Sequence, residues 1–442
     1  MQYVYTPHRG WFAETDVRGD VSNACHNIGG GIGMKYVVLG SSAAGINGIR
    51  GIRMNDTEGE IVLISKDEHV YSRCILHHYM EGIRDLKRLC FVEEDFMEKN
   101  KVSWMGGKTV SGLDCKEKKV LLEDGEEVLF DRLLIATGSH SFFPPISNLR
   151  EAKGVIGFRN LDDIEYIMEQ AKEVQHIVVM GAGLVGMDCV TGLLEYGKEV
   201  SIVEMQDRML ALQLDKRASE TYEKAYDNLG VNQYYSVGIS EVKMDGNHRV
   251  SSVILGDGRE LPCELLVVTA GVRSNMEFLK DSDVETDMRG VLIDEAGRTS
   301  VEGIFAAGDV TGRNPIWPVA VKEGIIAGNN MCGKERRMTD FFASKSTMNF
   351  LGIPTLSLGI NTPEDDSYQV EIEEKNGNYK KMILKDGKIY GALLQGDLSY
   401  AGVLTQLIRR KIDISRVKKP VFQIDYSDFF QVADNFEFMY NE

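Results

Sequence analysis

Residues 34–45 have the sequence MKYVVLGSSAAG, and residues 176–186 have the sequence HIVVMGAGLVG. Each segment runs from an apolar strand pattern directly into a glycine-containing turn, and a helical pattern follows each turn. A turn of this kind brings backbone N–H groups and the positive end of a helix against a phosphate. The two segments therefore predict two nucleotide-binding modules in one chain.

A second pair of signals follows each turn at nearly equal spacing. Asp124-Gly125 and Asp257-Gly258 lie between alternating residues, a pattern that favours a two-residue type I′ hairpin turn. An apolar strand then ends at Thr137-Gly138 in the first copy and at Ala270-Gly271 in the second. Because the whole order is repeated, the sequence predicts an α/β fold with two Rossmann-like dinucleotide-binding domains.

The length of the chain leaves room for one more domain. At roughly 150 residues per domain, 442 residues correspond to about three domains. Towards the C-terminus, strand patterns, another Asp-Gly hairpin at Asp386-Gly387 and a helical pattern in residues 401–412 predict an α+β domain. Residues 1–33 show neither strand nor helix periodicity, so we expect a disordered extension, with Met34 as a candidate start.

Charge and cysteine content exclude several classes of function. The formal net charge of −17 disfavours nucleic-acid binding, because such a surface repels phosphate backbones. No apolar run reaches the ~18–20 residues that span a bilayer. The seven cysteines form no CxxC pair, so neither a disulfide framework nor a metal site is indicated. We expect a reduced, cytoplasmic enzyme without a membrane span.

The second glycine turn carries the stronger nucleotide signal. Its three glycines, Gly181, Gly183 and Gly186, fit GxGxxG, and the next strand ends at Glu204. A carboxylate at that place accepts hydrogen bonds from a ribose diol and repels a 2′-phosphate, which favours NADH over NADPH. Arg208 lies just beyond and could soften this preference, and Glu204 could instead be a solvated strand end.

The first glycine turn is a weaker match, because Ser42 replaces its middle glycine. Its second strand ends at Ser65, where a ribose-binding carboxylate would be expected. Asp309 follows Gly308 at the end of another apolar strand, where its carboxylate could accept hydrogen bonds from a polyol chain such as ribityl. The alternative for Asp309 is a plain helix N-cap.

Taken in order, these motifs resemble a known family. GSSAAG, IATG, GAGLVG and TSVEGIFAAGDV are similar to motifs of the FAD- and NAD(P)-dependent pyridine nucleotide-disulfide oxidoreductases. The segment VYSRCILHHYMEG, residues 70–82, resembles the branch that holds rubredoxin reductases, NADH oxidases, coenzyme A-disulfide reductases and the flavin module of nitrite reductase large subunits. The resemblance is specific for cofactors and fold and says little about the electron acceptor.

The resemblance implies a domain plan. An FAD-binding domain would comprise residues 34–150 and 272–335, an NAD(P)H-binding domain would be inserted at 151–271, and residues 336–442 would form a C-terminal interface domain that mediates homodimerisation.

It also implies the residues that hold the two cofactors. On the FAD side, Trp317-Pro318 and Ala320 would begin a helix near the flavin's pyrimidine ring. The FAD-binding residues would be Gly40, Ser42, Ala44, Gly45, Arg73, Thr137, Gly138, Asp309 and Ala320. The NADH-binding residues would be Gly181, Gly183, Leu184, Val185, Gly186, Glu204 and Gly271.

Two features of the resemblance bear on catalysis. Cys74 matches the redox cysteine of the oxidase and coenzyme A-disulfide reductase members, and adjacent Arg73 could lower the pKa of its thiol; the alternative is a small packing residue. His78 and Asp188 fall where some relatives place a Lys–Glu pair beside the nicotinamide, although a surface histidine is the simpler interpretation.

The function implied is hydride transfer from NADH to FAD, with electrons passed on to an acceptor such as rubredoxin or another redox protein. A Cys74-dependent NADH oxidase or a disulfide or persulfide reductase is the first alternative, with O2 or a disulfide as acceptor. The second is a redox-sensing interaction protein that binds FAD and NADH and turns over slowly.

Overall fold

The computed structural model describes residues 33–339, 345–434 and 438–440. The predicted extension 1–33 lies, apart from Gly33, outside the described residues and stays a prediction. The described residues from Met34 onward belong to one compact unit.

The chain up to residue 150 builds most of the first module. Its strand β1, KYVVL, buries its last four residues because helices and sheet cover both of its faces. The elements are β1 (Lys35–Leu39), α1 (Ala43–Arg53), β2 (Glu60–Ser65), α2 (Leu76–Met80), α3 (Leu86–Leu89), α4 (Phe96–Lys99), β3 (Val102–Gly106), β4 (Val110–Asp114), β5 (Lys119–Leu122), β6 (Glu127–Leu129), β7 (Arg132–Ile135) and β8 (Ser139–Ser141).

The second module follows the same plan. Its elements are β9 (Val155–Gly157), α5 (Leu161–Glu173), β10 (His176–Met180), α6 (Leu184–Leu193), β11 (Glu199–Val203), α7 (Lys216–Asp227), β12 (Asn232–Tyr234), β13 (Ile239–Met244), β14 (Val250–Leu255), β15 (Glu260–Pro262), β16 (Leu265–Val268) and β17 (Val272–Ser274).

The rest of the described chain completes the first module and adds the C-terminal region. Its elements are β18 (Ile304–Ala306), α8 (Trp317–Met331), β19 (Lys345–Met348), β20 (Thr355–Gly359), β21 (Gln369–Lys375), β22 (Asn378–Lys385), β23 (Lys388–Gln395), α9 (Ala401–Arg409), β24 (Phe430–Val432) and β25 (Phe438–Tyr440).

The two modules correspond strand by strand. The first has a parallel sheet in the order β18-β7-β1-β2-β3, and the second has a parallel sheet in the order β9-β16-β10-β11-β12. Each also has a three-stranded antiparallel meander, β4-β5-β6 or β13-β14-β15. The two connections between the modules run side by side as β8 and β17. These sheets confirm the predicted α/β fold with two Rossmann-like domains.

Two helices of the first module cross with their backbones almost touching, which fixes the position of the first glycine turn. A Cβ atom on Gly324 of α8 would lie 2.2 Å from the Ala44 carbonyl oxygen of α1, and one on Gly328 would lie 2.2 Å from that of Gly48. Only glycine leaves room for this approach, so the middle of α8 lies beside the start of α1.

The hairpin turns differ in part from the prediction. At Asp386-Gly387 both residues have positive φ, as a type I′ turn requires. At Asp124-Gly125 and Asp257-Gly258 only the glycine does, and its N–H donates to the carbonyl three residues earlier, Leu122 or Leu255. The type I′ prediction is therefore wrong for these two hairpins, because each loop has three residues and ends in a left-handed glycine.

The C-terminal region forms an antiparallel sheet in the order β19-β20-β23-β22-β21. Helix α9 covers one face and buries Leu404, Leu407 and Ile408, which have the predicted helical spacing. This arrangement agrees with the predicted α+β domain.

Candidate functional site

A cavity of about 410 Å³ lies at the carboxyl ends of β1, β2 and β7. Polar ligands of parallel sheets bind at this edge. All but one of the residues that the resemblance assigned to FAD line it, together with Cys74 and Trp317. The lining residues from that set are Gly40, Ser42, Ala44, Arg73, Thr137, Gly138, Asp309 and Ala320.

Gly45, the remaining residue of that set, does not line the cavity but allows the glycine turn to close. A Cβ atom on Gly45 would lie 1.8 Å from the Gly40 carbonyl oxygen, and one on Gly40, whose φ is +105°, would lie 2.1 Å from the Ala136 oxygen. The turn can therefore close only with glycine at both positions. Ser42 begins α1, and its side chain makes no capping hydrogen bond.

Asp309 stands at the centre of a polar cluster on the cavity wall. Its Oδ2 accepts hydrogen bonds from the Arg159 guanidinium and from Ser139 Oγ, the latter at 3.1 Å. Arg159 also donates to Ser139 Oγ at 2.8 Å. The helix-cap alternative does not hold, because Gly308 is the N-cap of the short 3₁₀ turn that Asp309 begins, and no side chain caps it.

Sequence reasoning missed two residues of this cluster. Arg159 comes from the segment between β9 and α5, which the domain plan assigns to the NAD(P)H domain, and no local pattern shows that its side chain reaches Asp309. Glu323 of α8 is buried, and its Oε2 accepts a hydrogen bond from the Gly308 N–H at 2.8 Å. Burial raises the pKa of Glu323 to about 7, although that hydrogen bond opposes the rise.

Cys74 is exposed on the cavity wall, but its surroundings do not favour a thiolate. Desolvation by the surrounding protein raises the pKa of the thiol, the charge of Asp188 adds to the rise, and Arg159 and Arg73 only partly oppose it. Arg73 is bound to Asp67 at 2.6 Å. Arg73 thus lowers the pKa of the Cys74 thiol, as the sequence suggested, but desolvation and the nearby carboxylates outweigh it and leave that pKa above its ordinary value.

Asp188 contacts a different histidine from the predicted one. His77 Nδ1 lies 3.3 Å from Asp188 Oδ1 without the geometry of a hydrogen bond, and the buried His78 Nδ1 has no hydrogen-bond partner either. Burial, reinforced by Glu81, raises the pKa of Asp188 to about 8, and burial lowers the pKa of His77 to about 4. Asp188 therefore lies beside His77, and not beside His78, which the resemblance had suggested as its partner.

The second glycine turn has the same backbone design as the first. A Cβ atom on Gly186 would lie 2.0 Å from the Gly181 carbonyl oxygen, whereas one on Gly183 would meet nothing within 4 Å. Gly183 caps α6, whose first residues are Leu184 and Val185. The open space beside Gly183 fits the approach of a pyrophosphate to the helix N-terminus.

Glu204 lies next to this turn. One of its carboxylate oxygens accepts the Ala182 N–H at 2.7 Å and the other accepts the Gln206 N–H at 2.8 Å. Arg208 is held by Asp207 and by two carbonyl groups of its own loop, Ala211 and Leu214. Gly271, with φ of +99°, is exposed beyond β16.

Comparison with known proteins identifies the family. Residues 34–324 match the family described as pyridine nucleotide-disulphide oxidoreductase. The chain belongs to this family. Residues 345–412 match the rubredoxin NAD+ reductase C-terminal domain.

Individual members of the family and solved structures agree with this assignment. The NADH-dependent phenylglyoxylate dehydrogenase subunit epsilon of Aromatoleum evansii is 31% identical over 87% of this chain and 93% of that protein. A nitrite reductase of Bacillus subtilis (strain 168) is 26% identical over 88% of this chain, which spans only 49% of that relative. The NAD-dependent persulfide reductase from A. fulgidus superposes with a TM-score of 0.77 at 25% identity, over 86% of this chain and 77% of that one.

The family membership makes this chain an oxidoreductase that uses FAD and NAD, as predicted. The residues of the chain fit both FAD and NAD. The space beside Gly183 in the second turn is open, and the first turn and Asp309 line the same cavity. In the described residues, no helix is long and apolar enough to cross a bilayer, and no group of His, Cys, Asp and Glu has the arrangement of a metal site.

Proposed function

We propose that this chain oxidises NADH and delivers the electrons to a redox-protein partner that accepts them singly, such as rubredoxin. Two comparisons support the proposal: the match to the rubredoxin NAD+ reductase C-terminal domain, and the similarity to a subunit of an NADH-dependent dehydrogenase. The first name includes the redox protein rubredoxin, and the second is that of one subunit of an enzyme.

The observation that carries the choice of acceptor is the state of Cys74. Each of the two arginines that oppose the rise of its pKa is bound to a carboxylate, Arg73 to Asp67 and Arg159 to Asp309. A thiol mechanism needs a thiolate, which an unpaired cation near the sulfur would favour. Delivery of single electrons to a protein needs no thiolate.

The chain's own residues divide the remaining work. Bound FAD supplies the chemistry that takes two electrons from NADH and releases them one at a time. Gly181, Gly183 and Gly186 would bind the NADH pyrophosphate, and Glu204 would accept the ribose hydroxyls. Asp309 would bind the ribityl chain through its Oδ2 atom. Arg159, which donates to that atom, would share it with the chain or move away from it.

The start of α8 would stabilise negative charge on the bound group. Trp317 and Ala320 line the cavity in the first turns of this helix, and the N-terminus of a helix carries a partial positive charge. Preorganised donors of this kind cost no rearrangement during the reaction. The homodimer, the role of residues 336–442 in dimerisation and the cytoplasmic location remain predictions.

Replacement of Cys74 tests the proposal. In the Cys74→Ser variant we expect NADH-dependent reduction of rubredoxin to stay within about twofold of the wild type, because no thiolate takes part. The matched control is Cys115→Ser, which removes a half-buried cysteine outside the cavity. A large loss of rubredoxin reduction in Cys74→Ser alone would overturn the proposed mechanism.

The second candidate is a Cys74-dependent disulfide or persulfide reductase. It is favoured by the exposure of Cys74 in the cavity and by the similarity to a persulfide reductase. Turnover with coenzyme A disulfide that exceeds turnover with rubredoxin, and that disappears in Cys74→Ser, would establish this candidate instead.

A further inference from the structure

The loop of residues 205–214, between β11 and α7, touches the second glycine turn. The Leu210 N–H donates to the Ala182 carbonyl at 2.9 Å, and Ala182 is the residue whose N–H binds Glu204. Leu210 is buried and has φ of +53°, a conformation that a leucine rarely adopts unless its surroundings impose it. The contacts that impose this shape therefore also determine where Ala182 and Glu204 lie.

The C-terminal sheet region also contacts this loop. Asn361, which follows β20, donates through Nδ2 to the carbonyls of Ala211 at 3.2 Å and Leu212 at 2.9 Å. These two residues lie immediately after Leu210. Asn361 thus binds the loop directly beside the residue that contacts the glycine turn.

Lys381 of β22 extends the same support. It is only 8% exposed, and its Nζ donates to the Asn361 carbonyl at 3.0 Å and to Asp215 Oδ2 at 2.9 Å. Asp215 directly follows the loop and caps α7 by accepting the Ala218 N–H at 3.0 Å. Burial would raise the pKa of Asp215, but hydrogen bonds from Tyr379, Ala218 and Lys381 hold it below its ordinary value, so the lysine faces a carboxylate.

We propose that Asn361 and Lys381 are positioning residues for NADH: by fixing the 205–214 loop, the C-terminal domain sets the affinity of the second glycine turn and Glu204 for the nucleotide. The inference rests on the proposed function, since it takes NADH to bind at that turn. Neither residue touches the nucleotide; each acts through the backbone of the loop.

Other contacts join the same two domains without touching the loop. Tyr222 of α7 bonds to Thr355 at 2.7 Å, and Gln395 bonds to the Ala218 carbonyl at 3.1 Å, so the domains stay joined when Asn361 or Lys381 is changed. Arg217 forms an ion pair with Glu374 at 2.7 Å, with both side chains 48% exposed. Arg217→Ala is therefore a matched control that removes this ion pair between the domains, together with a cation–π contact to Tyr379, but no hydrogen bond to residues 205–214.

The experiment compares Asn361→Ala, Lys381→Met and Arg217→Ala with the wild type. Steady-state rates with ferricyanide as electron acceptor give KM for NADH and kcat, and fluorescence titration of the FAD-loaded protein gives Kd for NAD+. We expect KM and Kd to rise about three- to tenfold in the first two variants, because each loses hydrogen bonds that order the loop, with kcat at saturating NADH unchanged. Arg217→Ala should stay within about twofold of the wild type.

The outcomes separate this inference from the proposed function. Unchanged KM and Kd in Asn361→Ala, an equal rise in Arg217→Ala, or a parallel fall in kcat would overturn the positioning role. If Lys381→Met does not fold, Asn361→Ala decides alone. A wild-type protein whose flavin absorbance is not bleached by NADH would overturn the proposed function itself, whatever the variants do.

Discussion

The two glycine turns of this molecule share a backbone design, but they differ at the middle position of the turn and at the end of the neighbouring strand. Gly40 corresponds to Gly181 and Gly45 to Gly186, and in both turns a Cβ on the last glycine would lie within 2.0 Å of the first glycine's oxygen. The middle position, in contrast, holds Ser42 in the first turn and Gly183 in the second. The close approach within the turn is the shared requirement, and the middle residue is free to vary with the ligand.

The second difference lies at the end of the neighbouring strand. The registers of β1 with β2 and of β10 with β11 make Ser65 the counterpart of Glu204. Ser65 Oγ bonds to Ser41 Oγ at 3.0 Å in the first module, whereas Glu204 bonds to the Ala182 N–H at 2.7 Å in the second. A carboxylate suits the ribose diol of NADH. The first module has its cavity carboxylate elsewhere, at Asp309.

The largest expected effect comes from the shared position. In Gly45→Ala the new Cβ would lie 1.8 Å from the Gly40 oxygen, so the first turn must open. We expect FAD binding to weaken about 10- to 100-fold, the usual result of a forced backbone shift. The measurement is the ratio of flavin to protein absorbance after desalting. Gly402→Ala on α9, where a Cβ meets nothing within 4 Å, is the control, and a fully loaded Gly45→Ala protein would contradict the assignment of this turn to FAD.

The next largest effect is expected at Glu204, which differs from its counterpart Ser65 at the end of the neighbouring strand. We expect Glu204→Ala to raise KM for NADH about 10- to 100-fold, the loss typical of a hydrogen bond to a charged group. KM for NADPH should change far less, because the repulsion of its 2′-phosphate disappears together with the hydrogen bonds. The matched change in the first module, Ser65→Ala, should leave both constants unchanged. An equal response to NADH and NADPH would show that Glu204 does not face the ribose.

A smaller effect is expected at the middle position of the second turn. An alanine at Gly183 has room and an ordinary φ of −77°, so the fold should be unaffected. Its methyl group would nevertheless enter the space open to the pyrophosphate, and we expect KM for NADH to rise about three- to tenfold, the cost of moderate overpacking. Thermal unfolding checks that Tm is unchanged. If KM does not move, the pyrophosphate lies elsewhere.

The comparison also shows how much of the molecule the sequence could predict. The paired strands, turns and helices follow from local patterns, because an apolar strand that runs into GxGxxG or its variant has one common structural solution. The carboxylate at Glu204 was predictable for the same reason, because in this fold an acidic residue follows the glycine turn by about 20 residues.

Contacts between distant segments were not predictable. Arg159 reaches Asp309 across 150 positions, and Asn361 reaches Leu212 across 149, with no local signal at either end. His77 rather than His78 contacts Asp188 because the side chain's direction depends on how α2 packs on α6. Loop length likewise decides the Asp-Gly turns, which the dipeptide alone does not fix.

The last prediction concerns a buried pair of corresponding residues, Asn47 on α1 and Asp188 on α6. Asn47 is neutral and donates to the Ala43 carbonyl at 2.8 Å, whereas burial and the charge of Glu81 raise the pKa of Asp188 to about 8. An unfolded aspartate has a pKa of about 4. Between these pH values the folded chain binds one more proton than the unfolded chain at this site, so the free energy of unfolding falls as pH rises towards 8.

Asp188→Asn makes the second module resemble the first at this position. It should remove the fall in the free energy of unfolding that accompanies a rise in pH. Relative to the wild type, we expect the variant to gain on the order of 4 kcal/mol between pH 5 and pH 9, because the fall extends over the three pH units from 5 to 8 at about 1.4 kcal/mol each. Thermal unfolding followed across that range measures the gain. The reverse change, Asn47→Asp, should destabilise the chain increasingly as pH rises. A difference between Asp188→Asn and the wild type that does not depend on pH would mean that the pKa of Asp188 is not raised in the folded chain.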